Sequence, residues 1–228
     1  MDKSLLRIAP VLECRELADY DAKSLVAVRA AFRPADNCVL RQAWRREPER
    51  NFMAAVARIG WRGPSLRVFA ALHDADIFTQ ATAPNQRLWE LGDVLELFLQ
   101  PGDSPAYVEL HVAPNNLRLQ LRYPDTAALR RAQQADDINE FILPDGAFLA
   151  HTWLEPEHRK WYVHAEIPAG LVGGTEAFPP AQPWRFSFGR YDYTHGRKQP
   201  IISSSSPHAR PDFHRREEWG TLRFTTRR

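Results

Sequence analysis

Residues 86–124, QRLWELGDVLELFLQPGDSPAYVELHVAPNNLRLQLRYP, decide the reading of this chain. After Asp93 the run Val94, Leu95, Glu96, Leu97, Phe98, Leu99 has one firmly apolar face and one only partly polar face, a strand signature of period two. Tyr107 to Val112 alternates more cleanly. In Leu117 to Leu121 the leucines share one face, opposite Arg118, Gln120 and Arg122. Pro101-Gly102 and Pro114-Asn115-Asn116 supply turns between the runs. The local expectation is an antiparallel meander, with Trp89 at its edge and the carboxylates Asp93 and Glu96 just inside.

Outward from this stretch the same pattern continues. Strands are expected at about 53–61, 65–72, 93–99, 106–112, 117–123, 148–154, 161–167, 185–193 and 220–225. LVAVRAAF, after residue 24, has the branched and aromatic content of a first core strand, and residues 1–24 form a leading strand or loop. Arg33 to Arg50 is polar and irregular around Trp44. A short helix is expected over Thr126 to Gln134, with Asp125 as its cap. Pro168 to Val172 suits a single helical turn ended by Gly173-Gly174. The serines 203–206, between Pro200 and Pro207, suit a strand end or loop and offer nothing for a core.

The chain has 228 residues, 44% of them hydrophobic, enough for one well-packed domain spanning 1–228. Eighteen prolines against eleven glycines, frequent turn signals and few helical periods favour an all-β, two-sheet antiparallel β-sandwich with one short inserted helix. Thirty basic residues against 28 acidic ones leave a net charge of +2, and the short pairs Arg45-Arg46, Arg130-Arg131, Arg215-Arg216 and Arg227-Arg228 are scattered. That is a poor footprint for nucleic acid, so no nucleic-acid partner is expected. No stretch approaches the roughly 20 apolar residues of a membrane span, and the N-terminus lacks the apolar core of a signal peptide. The expectation is a soluble chain without membrane contact, cytoplasmic as written, or secreted or periplasmic if a processing segment is missing. Cys14 and Cys38 leave room for one bridge and no disulfide framework.

The tryptophan, the D-x-x-E acidic pair, the apolar strand, the Pro-Gly turn, the Tyr-x-Glu strand and the Asn-containing turn, in that order, resemble the family 9 carbohydrate-binding modules and their DOMON-like relatives. Upstream, ARIGWRGPSLRVFAALHDADI resembles the paired strands that open that fold. Downstream, PWRFSFGRYDY and PDFHRREEWGTLRF resemble its closing strands. The resemblance runs from about Ala54 to Phe224 and implies an immunoglobulin-like or jelly-roll sandwich of DOMON-like type. It also implies non-catalytic binding of a saccharide or sugar-like small molecule in a cleft, linked to carbohydrate catabolism.

In the resembled family an aromatic at the position of Trp89 forms one wall of the cleft, and acidic and basic residues at the positions of Glu96 and Arg118 contact the sugar hydroxyls. The bland alternatives are Trp89 folded over the sheet edge as a lid, and a cross-strand Glu96–Arg118 salt bridge. The second cleft tryptophan of the family has no counterpart in IISSSSPHARPDFH, since Trp219 fits the closing Trp-Gly pair. Tyr191 or Phe213 would have to replace it. This departure, with the missing signal, supports the rival expectation of a protein-interaction or scaffold domain that has lost the sugar site.

Cofactors are expected to be none. Calcium, held by some relatives, would draw on Asp74, Asp76, Asp93, Asp136, Asp137 and Glu140, a set common by chance. The histidines 195, 208 and 214 fit no zinc spacing. A haem, bound by some DOMON-like relatives through Met and His, would have only the internal Met53, expected within a core strand. Asp93 and Glu96 fall on opposite faces of a strand, which excludes them as a glycosidase pair. No catalytic residue and no metal ligand are therefore assigned, and the expected ligand-binding residues are Trp89, Glu96, Arg118, Tyr191 and Phe213.

Overall fold

The computed structural model describes residues 8–102, 104–173 and 178–226; Gly174 and the Arg227-Arg228 pair lie outside the described residues. The strands are β1 (Val11–Glu16), β2 (Cys38–Leu40), β3 (Ala55–Arg62), β4 (Ser65–His73), β5 (Val94–Pro101), β6 (Tyr107–Val112), β7 (Arg118–Tyr123), β8 (Leu149–Glu155), β9 (Lys160–Pro168), β10 (Trp184–Asp192), β11 (Ile201–Ser204) and β12 (Gly220–Thr225). The helices are α1 (Leu25–Ala31), α2 (Thr126–Ala135) and α3 (Ala169–Val172). The strand order is β7-β6-β5-β10-β12-β1-β3-β4-β9-β8, with β11 beside β10 and β2 beside β3.

This arrangement corrects the expected pair of separate antiparallel sheets. β1 runs parallel to both β12 and β3 and stitches the two halves into one large mixed sheet, nearly closed like a barrel. The first strand of the chain inserts between its last strand and β3, a long-range pairing that no turn signal announces. The layered core remains. Leu95, Leu97, Leu99 and Leu110 of one half share a cluster with Val68, Ala70, Leu72, Val163 and Ala165 of the other. Alternation then sends the intervening side chains to two outer faces. The face of β5–β6–β7 is covered by α2 and the C-terminal loops, through Phe98, Tyr123, Leu129, Phe213 and Trp219. The face of β4–β9 is covered by α1, through Val28, Phe32, Phe69 and Tyr162.

Two local expectations change. LVAVRAA is helix α1, because the Ser24 side chain accepts from the Ala27 amide and starts the turn, and Val28 and Phe32 bury against the sheet. The serine segment is not core-free: Ser203, Ser204 and Ser206 are buried, and Ser204 Oγ donates to the Phe188 carbonyl while Ser206 Oγ donates to Ser187. The inserted helix α2 is capped by Asp125, whose side chain accepts from Ala128. α3 ends at Gly173 in the left-handed conformation. Met53 precedes β3, and its carbonyl accepts from Arg190. Both cysteines are free and buried. Among the described residues no helix is long and apolar enough to cross a membrane.

Candidate functional site

The outer face of β5–β6–β7 holds a cleft of about 320 Å³. Its floor follows from hairpin register: Glu96 lies opposite His111, and Phe98 opposite Glu109. His111 Nε2 and Glu109 Oε1 are 2.7 Å apart, and His111 Nδ1 and Glu96 Oε1 3.4 Å. A second histidine, His214, shares a hydrogen bond of 3.0 Å with the Tyr107 hydroxyl and brings Nε2 within 3.9 Å of Glu109 Oε2. Burial pushes the Glu96 carboxyl up to about 8; His111 opposes this rise and Glu109 adds to it. For Glu109 burial acts upward too, but His214 and His111 outweigh it and hold the carboxyl below its usual range. The floor thus presents a protonated acid beside an ionised one, a donor and an acceptor for hydroxyl groups. Glu109 Oε2 and His111 Nδ1 are buried without a hydrogen-bond partner among the described residues.

Trp89 sits on a 3-10 turn, Leu88–Glu90, at the mouth of the cleft. It is half-buried, its ring meeting His111 edge-on at 5.4 Å, and Arg87 lies 6.0 Å from the ring centre. The Tyr193 hydroxyl donates to the Trp89 carbonyl at 2.6 Å and pins the turn. Tyr191 and Phe213 line another part, with ring centres 5.7 Å apart. Phe213 is buried, wedged by Phe98 and His208, so Tyr191 offers the more accessible ring. Helix α2 supplies Leu129, Ala132 and Gln133 to the lining. Trp219 is buried and donates to the Phe213 carbonyl, holding the loop that carries Phe213.

The structure therefore brings together Trp89, Glu96, Tyr191 and Phe213, and does not bring Arg118 to them. Arg118 opens β7, where Leu119, Leu121 and Tyr123 take the cleft side. Arg118 points with Gln120 to the other side and lies 3.4 Å from Asp145, so the cross-strand pair with Glu96 is not formed. Glu109, His111 and His214 were not among the expected ligand-binding residues. The alternation Tyr107, Glu109, His111 carried the first two, and became informative only once the Pro101-Gly102 turn fixed which β5 residues they oppose.

A second buried polar group lies behind the Trp89 turn. Arg190 Nη2 is 3.1 Å from Asp74 and 3.3 Å from Asp192, and Asp93 accepts from the Phe78 and Tyr193 amides at 2.7 and 2.8 Å. Burial, with Asp74 adding to it, pushes Asp93 up to about 8. Burial likewise lifts Asp192 to about 7, against the pull of Arg190. This group fastens the ends of β4 and β10 to the start of β5. The Arg190 guanidinium supplies positive charge here, and both Asp93 oxygens accept from backbone amides. The other acids disperse, Asp76 to His195, Asp136 to Arg87, Asp137 to the Asn139 amide and Glu140 towards Arg131. His208 is likewise taken, by Glu218.

The site is a sheet-borne cleft with an aromatic mouth and an acidic floor. The fold is that of the family 9 carbohydrate-binding modules. A putative carbohydrate-binding protein from Bacteroides uniformis superposes with a TM-score of 0.71 at 17% identity, over 94% of this chain and 99% of that one. A family 9 module from Caldicellulosiruptor kristjanssonii, solved with cellotriose, gives 0.62 at 14% identity over 94% and 95% of the two chains. The same organism's family 9 module solved with glucose gives 0.60 at 13%, over 94% and 97%. By sequence, no family model and no curated protein matches the chain.

Proposed function

We propose that this protein binds a saccharide, without cleaving it, in the cleft between Trp89, Tyr191 and the Glu96–His111–Glu109 floor. The observation that carries this reading is the floor itself: a buried acceptor, Glu109 Oε2, with no hydrogen-bond partner among the described residues, in a cleft also lined by Trp89. An unmet buried acceptor costs about 1–3 kcal/mol, which a ligand hydroxyl would recover. An aromatic face suits the apolar C–H side of a sugar ring. Similar folds that hold cellotriose and glucose supply a first panel, and any role in carbohydrate catabolism follows from such binding. Glu109 is hydrogen-bonded to His111 and Glu96 lies 3.4 Å from its other ring nitrogen, so they form one cluster on one side of the ligand rather than an acid and a base flanking it.

Tryptophan fluorescence titrated with glucose, cellotriose and a wider saccharide panel tests this. Saturable change is expected in the native chain and not in Trp89→Ala, with no reducing sugar released. Silence across the panel, in folded protein, would overturn it. The rival, an interaction domain without a sugar site, is favoured by one observation, the burial of Phe213 where a second platform would be needed.

A further inference from the structure

The opposite outer face, on β3–β4–β9, carries a second depression of about 650 Å³ walled by α1. Its charge differs in kind from that of the saccharide cleft. The cleft is lined by Glu90, Glu96, Glu109, Asp136 and Asp212 against Arg87 and His214. The second groove is lined by Arg29, Arg33, Arg58 and Lys160, with His73, and by no carboxylate. Four permanent cations therefore converge in a molecule whose net charge is only +2.

They are also unpaired. Several arginines elsewhere lie against acids, Arg62 on Asp19, Arg67 on Glu166, Arg87 on Asp136 and Arg215 on Glu218. Among the described residues none of the four groove cations has such a partner. Glu155, opposite Lys160 in the β8–β9 ladder, is engaged by the Tyr162 hydroxyl at 3.0 Å and by His158 at 3.4 Å. Arg58 is pre-oriented: Nε donates to Asn37 Oδ1 at 2.8 Å and Nη1 to the Phe32 carbonyl at 3.1 Å, which leaves Nη2 for another acceptor. Arg29 is steadied 5.8 Å from the Tyr162 ring centre. His73 is held below its usual value by burial first, then by Lys160 and Arg190, in keeping with positive potential here. Under the cations the floor is apolar, with Phe69 and Tyr162 stacked at 6.1 Å and Val26 80% exposed at the rim.

We infer that this groove is a second ligand site, which binds an organic phosphate or sulfate ester between Arg29 and Arg33 on one side and Arg58 and Lys160 on the other, its organic body against Val26 and Ala71. Guanidinium groups match tetrahedral oxyanions in fork geometry, and several fixed cations favour a multiply charged group over a single carboxylate. The volume suits a small molecule. A nucleic acid would need a basic track that continues past the groove, and Arg62 and Arg67, the next arginines on β3 and β4, are paired with Asp19 and Glu166.

Isothermal titration with phenyl phosphate, inorganic phosphate and a sulfated heparin oligosaccharide tests the site and separates a free small ester from a polymer-borne one. The variant is R29Q/R33Q, one exposed residue of α1 and one just past its end, whose replacement should leave the melting temperature unchanged, with Trp89→Ala as the control for the other cleft. Expected are saturable binding of phenyl phosphate or the sulfated oligosaccharide, weakened by salt, about tenfold weaker in R29Q/R33Q and unaltered in Trp89→Ala. Absence of saturable binding, binding undiminished in R29Q/R33Q, or inorganic phosphate binding as tightly as either ester would overturn the inference.

Discussion

Trp89 and Gly189 show how single side chains set the cleft. Trp89 reaches the cleft mouth on a pinned turn and packs only against the edge of the core cluster beneath it, so Trp89→Ala removes contact area at the mouth while the fully buried core stays in place. Saccharide affinity should fall at least about tenfold while the denaturation midpoint moves little. Gly189 acts from the opposite direction. A Cβ there would lie 2.7 Å from the Phe213 ring and 3.0 Å from Glu96 Oε2. Gly189→Ala should therefore displace Phe213 or Glu96 and weaken binding measured by calorimetry. Unchanged affinity would show that the floor is not held as tightly as its packing implies. Trp89 and Glu96 were legible in the sequence because a tryptophan in a polar turn and a carboxylate in an apolar strand each break the local pattern. Arg118 was misplaced because spacing along the chain does not say which face of a strand a residue takes. The alternation of β7 does, and it puts Arg118 opposite Leu119 and Leu121.

Helices α1 and α2 both rest on a single side-chain cap, but they guard different faces. Asp125 accepts from the Ala128 amide at 2.7 Å, and Ser24 from the Ala27 amide at 3.3 Å. Replacing either by alanine should cost about 1 kcal/mol of stability. Only Asp125→Ala should also weaken saccharide binding, because α2 lines the cleft and α1 does not. Paired urea melts and titrations of the two variants check this, and equal effects on binding would contradict the separation of the faces. Legibility follows the same division. α2 could be read from Asp125 and a run of Ala, Leu, Arg and Gln with no rival strand pattern. α1 could not, since Leu-Val-Ala-Val satisfies a strand as well as a helix until Ser24 and the burial of Val28 and Phe32 decide between them. The pairing of β1 with β12 and β3 lay beyond local reading, because it joins residues near the two ends of the chain.

At the scale of the whole molecule, buried acids make stability depend on pH in a direction unusual for carboxylates. Glu96 and Asp93 are pushed up to about 8 and Asp192 to about 7, chiefly by burial. The folded chain therefore holds protons at neutral pH that the unfolded chain has released. The stability these groups contribute is complete below their ordinary carboxylate values and is lost as pH rises through 7 to 8. His111, held above its usual value by Glu96 and Glu109 against the effect of burial, acts in the same direction. His164 opposes from the acid side: burial, then Arg67 and His151, lower it to about 4, so its contribution is present above 6.5 and lost as pH falls towards 4. Glu109, held low, likewise loses its contribution as pH falls. With three raised acids against one lowered histidine, stability should be greatest near the ordinary carboxylate values, at about pH 4–5, and decline towards about pH 8.5, each raised acid adding up to about 1.4 kcal/mol per pH unit within its window. Urea denaturation at several pH values measures the slope, and Glu96→Gln should reduce it by up to one proton. A midpoint that holds steady or rises between about pH 6 and 8.5 would mean that these carboxyls ionise in the folded protein without penalty.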